Sequence, residues 1–360
     1  MTQETTIRVG ELDVPLEFES TAALAFGLEG APIWDFDLAG FRFGDFVQDP
    51  AVGDGLILLG PYRPGRVPVV LVHGTASNPA RWAELVNEIY GDPALSESVQ
   101  IWLFLYNTGN PILMSASRLR EALRATVRDL DPESRDPALQ QMVVIGHSQG
   151  GLLTKLQAVT SGSAFWDAAF DEPFERARLS PETRDLVSRF AFFEALPFVR
   201  RLVFISTPHG GSYLASRRIG ALASRLVKFP GELVRRGAEL ATLNADGGVR
   251  GRFSRVQSSV DNMKPGNPFL QALSSLPLAP GVVAHSIIPV KKDGPPEGQN
   301  DGVVEYSAAH IDGVESELIV RSPHSVQGNP RAVAEVKRIL REHLAAIEAA
   351  TLPSLRQAAP

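Results

Sequence analysis

The chain has 360 residues, 44% of them hydrophobic and 21% charged, a formal net charge of −6 and no cysteine. Those proportions describe an ordinary globular protein, and the acidic balance argues against a general nucleic-acid binder, which would carry a basic face. The absence of thiols excludes disulfides, thiolate metal sites and a cysteine nucleophile.

From the N-terminus, Met1 to Phe18 contains no apolar run of signal-peptide type, and no stretch approaches the ~18 apolar residues of a membrane span. The expectation is a cytoplasmic protein with no integral membrane segment, or a secreted one if a leader has been removed. Residues 1–66 read as a β-rich extension, with strands at Thr6–Val9, Val14–Phe18 and Gly55–Leu59. Trp34, Phe36, Phe41, Phe43 and Phe46 alternate loosely with Asp and Gly. A strand layer packed over the main domain is expected from this region.

At Val67 the pattern changes to strand followed by helix. Val67–Val72 is a buried strand and Ala80–Tyr90 a helix; Ile101–Tyr106 is the next strand and Met114–Leu130 a long amphipathic helix. Gln141–Ile145 is a short apolar strand, and Leu152–Val159 reads as its helix. Further strands follow at Arg201–Ile205, Val282–Val290 and Glu317–Val320, then a closing helix at Arg331–Ala349. Such alternation predicts an α/β fold with a mostly parallel, doubly wound sheet. The core is assigned to residues 67–161, 199–211 and 277–350, with a tail at 351–360.

Two segments, 162–198 and 212–276, interrupt the alternation and are long enough for a helical cap. The first holds seven of the 18 Phe, including Phe165 and Phe170, together with Trp166. These aromatics either pack the cap onto the body or form an acyl-binding wall. Between Ser212 and Leu243 six basic residues (Arg217, Arg218, Arg225, Lys228, Arg235, Arg236) face two acidic ones (Glu232, Glu239). Such a run is either a solvated helix face or a transient contact with a lipid interface.

The chemistry centres on Gly146-His147-Ser148-Gln149-Gly150, a G-x-S-x-G pattern with an apolar strand before it and a helix after it. So abrupt a turn is crowded, and the glycines remove the side chains that would clash. It lifts a nucleophilic serine to a helix N-terminus, where free N–H groups stabilise developing negative charge. The serine needs a histidine base, and the base needs an acid. On such an elbow the chain order is serine, acid, histidine. Of the downstream histidines, His343 reads as solvated helix surface and His285 as a satisfied core residue. His324 follows the last strand, at the carboxyl end of the sheet where sites assemble; His310 competes with it. Asp301 is the chosen acid because Asn300-Asp301-Gly302 places a carboxylate on a tight turn, although it is also a natural turn cap. Asp293, Glu305 and Asp312 lie nearby. The oxyanion donors expected are the N–H groups of Gln149 and, from the loop after the first parallel strand, Thr75. His73 is expected to orient that loop. Tyr106 and Asn107, after the second parallel strand, either touch substrate or close a turn.

These residues resemble a serine esterase or lipase of the α/β-hydrolase superfamily, across roughly residues 67–345. His73-Gly74-Thr75 is similar to the oxyanion loop of bacterial lipases and Gly146–Gly151 to their elbow. Ser206–Ser212 resembles their T-P-H-x-G-S segment, and Lys264–Leu270 the stretch that ends many lipase caps. Asn300-Asp301-Gly302, with His310 and then His324, resembles their acid-to-base region, in which the aspartate is the acid and the second histidine the base. The resemblance implies hydrolysis of carboxylic esters with hydrophobic acyl groups, from small esters to triglycerides or polyesters, by Ser148, His324 and Asp301 without a cofactor. It implies substrate contacts at His73, Tyr106, Asn107, Phe165, Trp166 and Phe170. It implies no metal, because the calcium-binding aspartates of those lipases have no clear counterparts here, and it gives no role to residues 1–66. Amide hydrolysis and acyl transfer would use the same residues, and a non-catalytic binding protein would be expected to lack one of them.

Overall fold

A computed structural model of the chain describes residues 6–10, 12–15, 54–212, 235–237, 239–240 and 257–357, the side chains of 6, 7, 13–15 and 351–357 excepted. Two short strands, β1 (Thr6–Val9) and β2 (Leu12–Pro15), pair antiparallel as a separate ribbon. The aromatics from Trp34 to Phe46 and most of the basic run after Ser212 lie outside the described residues.

The main sheet has seven strands: β3 (Gly55–Leu58), β4 (Val67–Val72), β5 (Val99–Leu105), β6 (Met142–His147), β7 (Val199–Ile205), β8 (Val283–Val290) and β9 (Ser316–Arg321). Their order is β3-β5-β4-β6-β7-β8-β9. All neighbours run parallel except β3, which pairs antiparallel with β5. Gly55–Leu58, expected as part of a covering layer, therefore extends the sheet itself. Its backbone groups are satisfied by the edge of β5, as in the register Leu56 to Phe104.

Residues β4 to β8 are buried on both faces, which is why their sequences are near-continuous apolar runs. The period of two still sorts them. Val70, Val72, Trp102, Phe104 and Val144 face one layer; Val69, Leu71, Ile101, Leu103, Val143 and Ile145 face the other. The first layer is filled by α3 (Ile112–Leu130) and α4 (Gln149–Leu156), the second by α1 (Ala83–Tyr90) and α10 (Pro330–Gln357). Between them the chain forms α2 (Pro93–Ser98), α5 (Ala164–Asp167), α6 (Pro181–Ala191), α7 (Ser259–Asn262), α8 (Pro268–Ser275) and α9 (Tyr306–Ala309).

A recurrent local device starts these helices. Asp92-Pro93, Ser180-Pro181 and Asn267-Pro268 each place a side-chain acceptor on a free amide of the first turn, with proline at the position that has no N–H to lose. Each cap contributes roughly 1 kcal/mol.

The 162–198 segment carries α5 and α6, and Phe165 stacks on Phe269 of α8 at 5.6 Å. Arg120, buried on α3, lies over the Phe193 ring and donates to the Leu156 carbonyl, tying that segment to the core. Arg236, from the basic run, faces Glu182 and Glu239. His343, expected on a solvated face, is buried against the sheet, with its Nε2 on the Gln141 carbonyl at 2.7 Å and Arg201 at its Nδ1. The charged residues around it on α10 disguise a position that faces inward. Among the described residues no helix is long and apolar enough to cross a membrane.

Candidate active site

The strand order reverses around β4, with β5 on one side and β6 on the other. A crevice therefore opens beyond the carboxyl ends of β4 and β6, the usual place for a site in an open α/β sheet. The turns after both strands enter it. β6 ends at His147 and α4 begins at Gln149, so Ser148 alone makes the turn, at φ 53° and ψ −124°. Such a conformation costs a non-glycine residue roughly 1–3 kcal/mol. It is held by the Ser148 N–H donating to the Ile205 carbonyl at 2.8 Å, and by the Gly151 N–H donating to the Ser148 carbonyl at 2.9 Å. The flanking glycines are sterically required. A methyl group at Gly146 would strike the Gly150 backbone, at Gly150 the carbonyls of Val72 and His73, and at Gly151 the Thr207 side chain.

His324, in the loop after β9, reaches this serine. Its Nε2 lies 3.0 Å from Ser148 Oγ, and its Nδ1 lies 2.7 Å from Asp301 Oδ2. Asp301 is almost fully buried, and its other oxygen accepts the N–H groups of Val303 and Val304, both at 2.7 Å. With two amides donating to it, Asp301 is a carboxylate acceptor. Nδ1 of His324 must then carry the hydrogen, leaving Nε2 free to accept from the serine. The turn-capping and the histidine-facing readings of Asp301 are both realised, one on each oxygen.

The backbone of His324 is anchored as firmly as its ring. Its carbonyl accepts from His147 Nε2, Ser206 Oγ and the Val326 N–H, each at 3.0 Å. Because His147 Nε2 donates, its Nδ1 is bare, and that atom is buried without a partner. Burial foremost, then the neighbouring His324, lowers the His147 pKa to about 3. Ser206, like Ser148, ends its strand with φ at 53°. Neither of these anchors is marked as such in the sequence: His147 reads as the variable position of the elbow, and Ser206 as a residue of the next strand's turn.

The turn after β4 approaches from the other side. Gly74 lies so close to Ser148 that an added Cβ would be 2.9 Å from the serine Cβ. Thr75 lines the same pocket, and its hydroxyl donates to Gln149 Oε1 at 2.6 Å. Gln149 Nε2 in turn donates to the Thr108 carbonyl at 3.2 Å. Gln149 also opens α4, whose first N–H groups have no acceptor within the helix.

The remaining expected contacts fall in three places. His73 and Tyr106 are buried behind the loop, stacked at 4.5 Å, with the Tyr106 hydroxyl donating to the His73 carbonyl at 2.8 Å. His73 is held with a pKa lowered to about 4 by burial. Asn107 closes a turn, its side chain accepting the Gly109 N–H at 2.9 Å. These three brace the loop and do not line the Ser148 pocket. Phe165, Trp166 and Phe170 line a separate apolar cavity of about 240 Å³, together with Met114, Phe190 and Phe269. The Ser148 pocket is about 110 Å³ and mixed in character: Pro208, Met263, Val303 and Val304 line it together with Ser77, Arg81, Ser325 and Gln327. The two cavities flank the end of α7, where Asn262 lines one and Met263 the other. His310 lies elsewhere, against Glu317 at 2.6 Å.

Among the described residues, His285, Glu315 and Glu342 bring potential metal ligands within 4.8 Å of one another. The Arg201 guanidinium already fills that space, with Nη1 2.6 Å from His285 Nε2. The lone pair a metal would need is taken.

The model of a family described as "Alpha/beta hydrolase family" matches residues 69–336. No curated protein matches the chain. Among solved structures, a mature lipase of Bacillus licheniformis is similar at 14% identity and a TM-score of 0.46, over 79% of this chain and 97% of that one. A monoacylglycerol lipase of Paleococcus ferrophilus is similar at 15% identity and 0.42, over 82% and 99%. A lipase-esterase related protein of Clostridium acetobutylicum is similar at 12% and 0.40, over 80% and 99%.

Proposed function

The chain belongs to the alpha/beta hydrolase family, and from that premise we propose that it is a serine carboxylic-ester hydrolase working through an acyl-enzyme. The observation that carries the reading is His324 bridging Ser148 Oγ at 3.0 Å and Asp301 Oδ2 at 2.7 Å. In the first half-reaction His324 Nε2 takes the Ser148 proton as Oγ attacks the ester carbonyl, and a carbon–oxygen bond forms. The Thr75 and Gln149 N–H groups stabilise the oxyanion. Asp301 stabilises the imidazolium, which donates its proton to the alcohol oxygen as the second carbon–oxygen bond breaks. Water, deprotonated by His324, then cleaves the acyl-enzyme and releases the acid.

The acyl half of the substrate is apolar. The aromatic wall of Phe165, Trp166 and Phe170 next to α7 supports an acyl chain long enough to pass beyond Met263. Triglycerides and polyesters are the extended members of that class, and the basic run after Ser212 would meet a lipid surface. A fluorophosphonate should label Ser148, and Ser148→Ala should abolish both labelling and turnover of a p-nitrophenyl ester. Full turnover by that variant would sink the assignment. An acyl-chain series, run beside matched amides, fixes the chain length and separates ester from amide hydrolysis.

A further inference from the structure

A second pocket adjoins the Ser148 pocket at Arg81, Ser325 and Gln327, and this trough continues past Ser322 and Asn329. Chemistry assigns an occupant to this direction. The alcohol of an ester can leave only if its oxygen receives a proton, and in the proposed reaction that proton is on His324 Nε2. The leaving oxygen must therefore lie over His324, with the rest of the alcohol extending along the residues that follow it. The acyl half has the apolar lining of Met263, Val303 and Val304.

Gln327 is the distinctive group on the alcohol side. Its side chain is 5% exposed, yet its Oε1 is buried with no hydrogen-bond partner among the described residues. Buried polar atoms are nearly always paired, so an orphaned amide oxygen lining a pocket is a vacancy for a donor. The terminal torsion of glutamine is soft, and a ligand in the trough can turn the amide toward itself. An amide offers both a donor and an acceptor, and so does a hydroxyl; the two match in either orientation of the amide. The alkyl half of a simple alkyl ester has no free hydroxyl and leaves the amide unpaired.

We propose that Gln327, with Ser325, forms a leaving-group subsite that takes a hydroxyl on the alcohol half of the substrate, so that the preferred substrates are acyl esters of a polyol. This rests on Ser148 being an ester nucleophile. The specificity of the site is then two-faced: apolar for the acid, hydroxylated for the alcohol.

The test is a set of octanoate esters of 1-propanol, propane-1,2-diol and glycerol, followed by titration of the released acid. Each kcat/KM is divided by that ester's rate of alkaline hydrolysis, which removes the intrinsic reactivity of the alcohol. One neutral hydrogen bond corresponds to roughly three- to tenfold, and the corrected preference for the diol and glycerol esters should fall in that range. Gln327→Leu should bring the corrected ratio to about one, and Gln327→Glu, which keeps an acceptor, should retain part of it. Equal corrected rates in the unaltered protein, or a ratio unmoved by Gln327→Leu, overturns the subsite. If Gln327→Leu does not fold, the unaltered ratio and its reduction by Ser325→Ala carry the decision. Absence of turnover of all three esters, with no fluorophosphonate label on Ser148, overturns the ester reading and the subsite with it. A labelled Ser148 without polyol preference overturns the subsite alone.

Discussion

The two ends of the sheet both hold histidine among polar partners, but His324 is partly exposed while His285 and His343 are buried, and the partners differ in charge. At the carboxyl end His324 lies between a hydroxyl and a carboxylate. At the amino end Arg201, at the start of β7, donates to His285 Nε2 at 2.6 Å and to His343 Nδ1 at 3.3 Å. His285 Nδ1 is 2.7 Å from Ser316 Oγ, and Glu315 and Glu342 stand 3.7 and 3.9 Å from the guanidinium. A carboxylate stabilises an imidazolium, which is what the role proposed for His324 requires. A guanidinium opposes one: burial first, and Arg201 after it, lower the pKa of His285 to about 4. At His285 burial and the neighbouring guanidinium thus act together against a proton, with burial the larger of the two.

The strongest way to break the contrast is at the nucleophile. Ser148→Ala should lower kcat by roughly 10⁴- to 10⁶-fold without lowering the melting temperature, since the backbone turn is kept and only one hydroxyl facing a pocket is lost. Asp301→Asn should lower kcat by roughly 10³- to 10⁴-fold, because an amide aimed at Nδ1 favours the wrong tautomer of His324. At the other end the readout is inverted. Arg201→Leu should leave fluorophosphonate labelling of Ser148 in place but destabilise the fold by about 3–5 kcal/mol, the usual cost of breaking a buried charged network, measured by denaturant unfolding.

The pH dependence of stability sharpens the same contrast. His285 has a folded pKa below its ordinary value of 6.5. Between about pH 6.5 and 4 the unfolded chain therefore binds a proton that the native one refuses, and stability falls as the pH falls. Buried His73, His147, His209 and His343, all with lowered pKa values, act in the same direction. The melting temperature should drop from pH 7 to pH 4.5, and His285→Gln should make that slope shallower. An unchanged slope would remove His285 from the account. The smallest expected effect is at His147→Phe. Loss of one of the three donors to the His324 carbonyl should lower kcat about three- to tenfold with KM little changed, seen in steady-state kinetics.

Much of the fold could be read in the sequence, because buried parallel strands such as Val67–Val72 and Met142–His147 are unmistakable apolar runs. The edge strand β3 was harder to place: its partner, β5, lies some forty residues on, and nothing local distinguishes pairing onto a sheet from packing over it. The elbow was legible because three of its residues must be glycine for steric reasons. The closeness of Asp301 and His324 to Ser148 was expected from chain order and from the resemblance together. The bracing roles of Tyr106 and Asn107 were not, since a polar residue after a strand looks the same whether it faces a ligand or a loop. His343 was misread because the charged neighbours on α10 mask the inward face. Gln327 left no trace, being defined by an absent partner.

One asymmetry of the sheet bears on how the protein would fail. Ser148 grows from β6, which has a paired neighbour on each side, whereas His324 follows β9, which among the described residues pairs only with β8 at the edge of the sheet. Edges open at lower free energy than centres. On warming, the histidine would loosen while the serine is still held, so hydrolysis would cease at temperatures where circular dichroism still reports an intact protein. Brief heat inactivation would then reverse on cooling, and hydrogen exchange would find its first fast amides around residues 316–329.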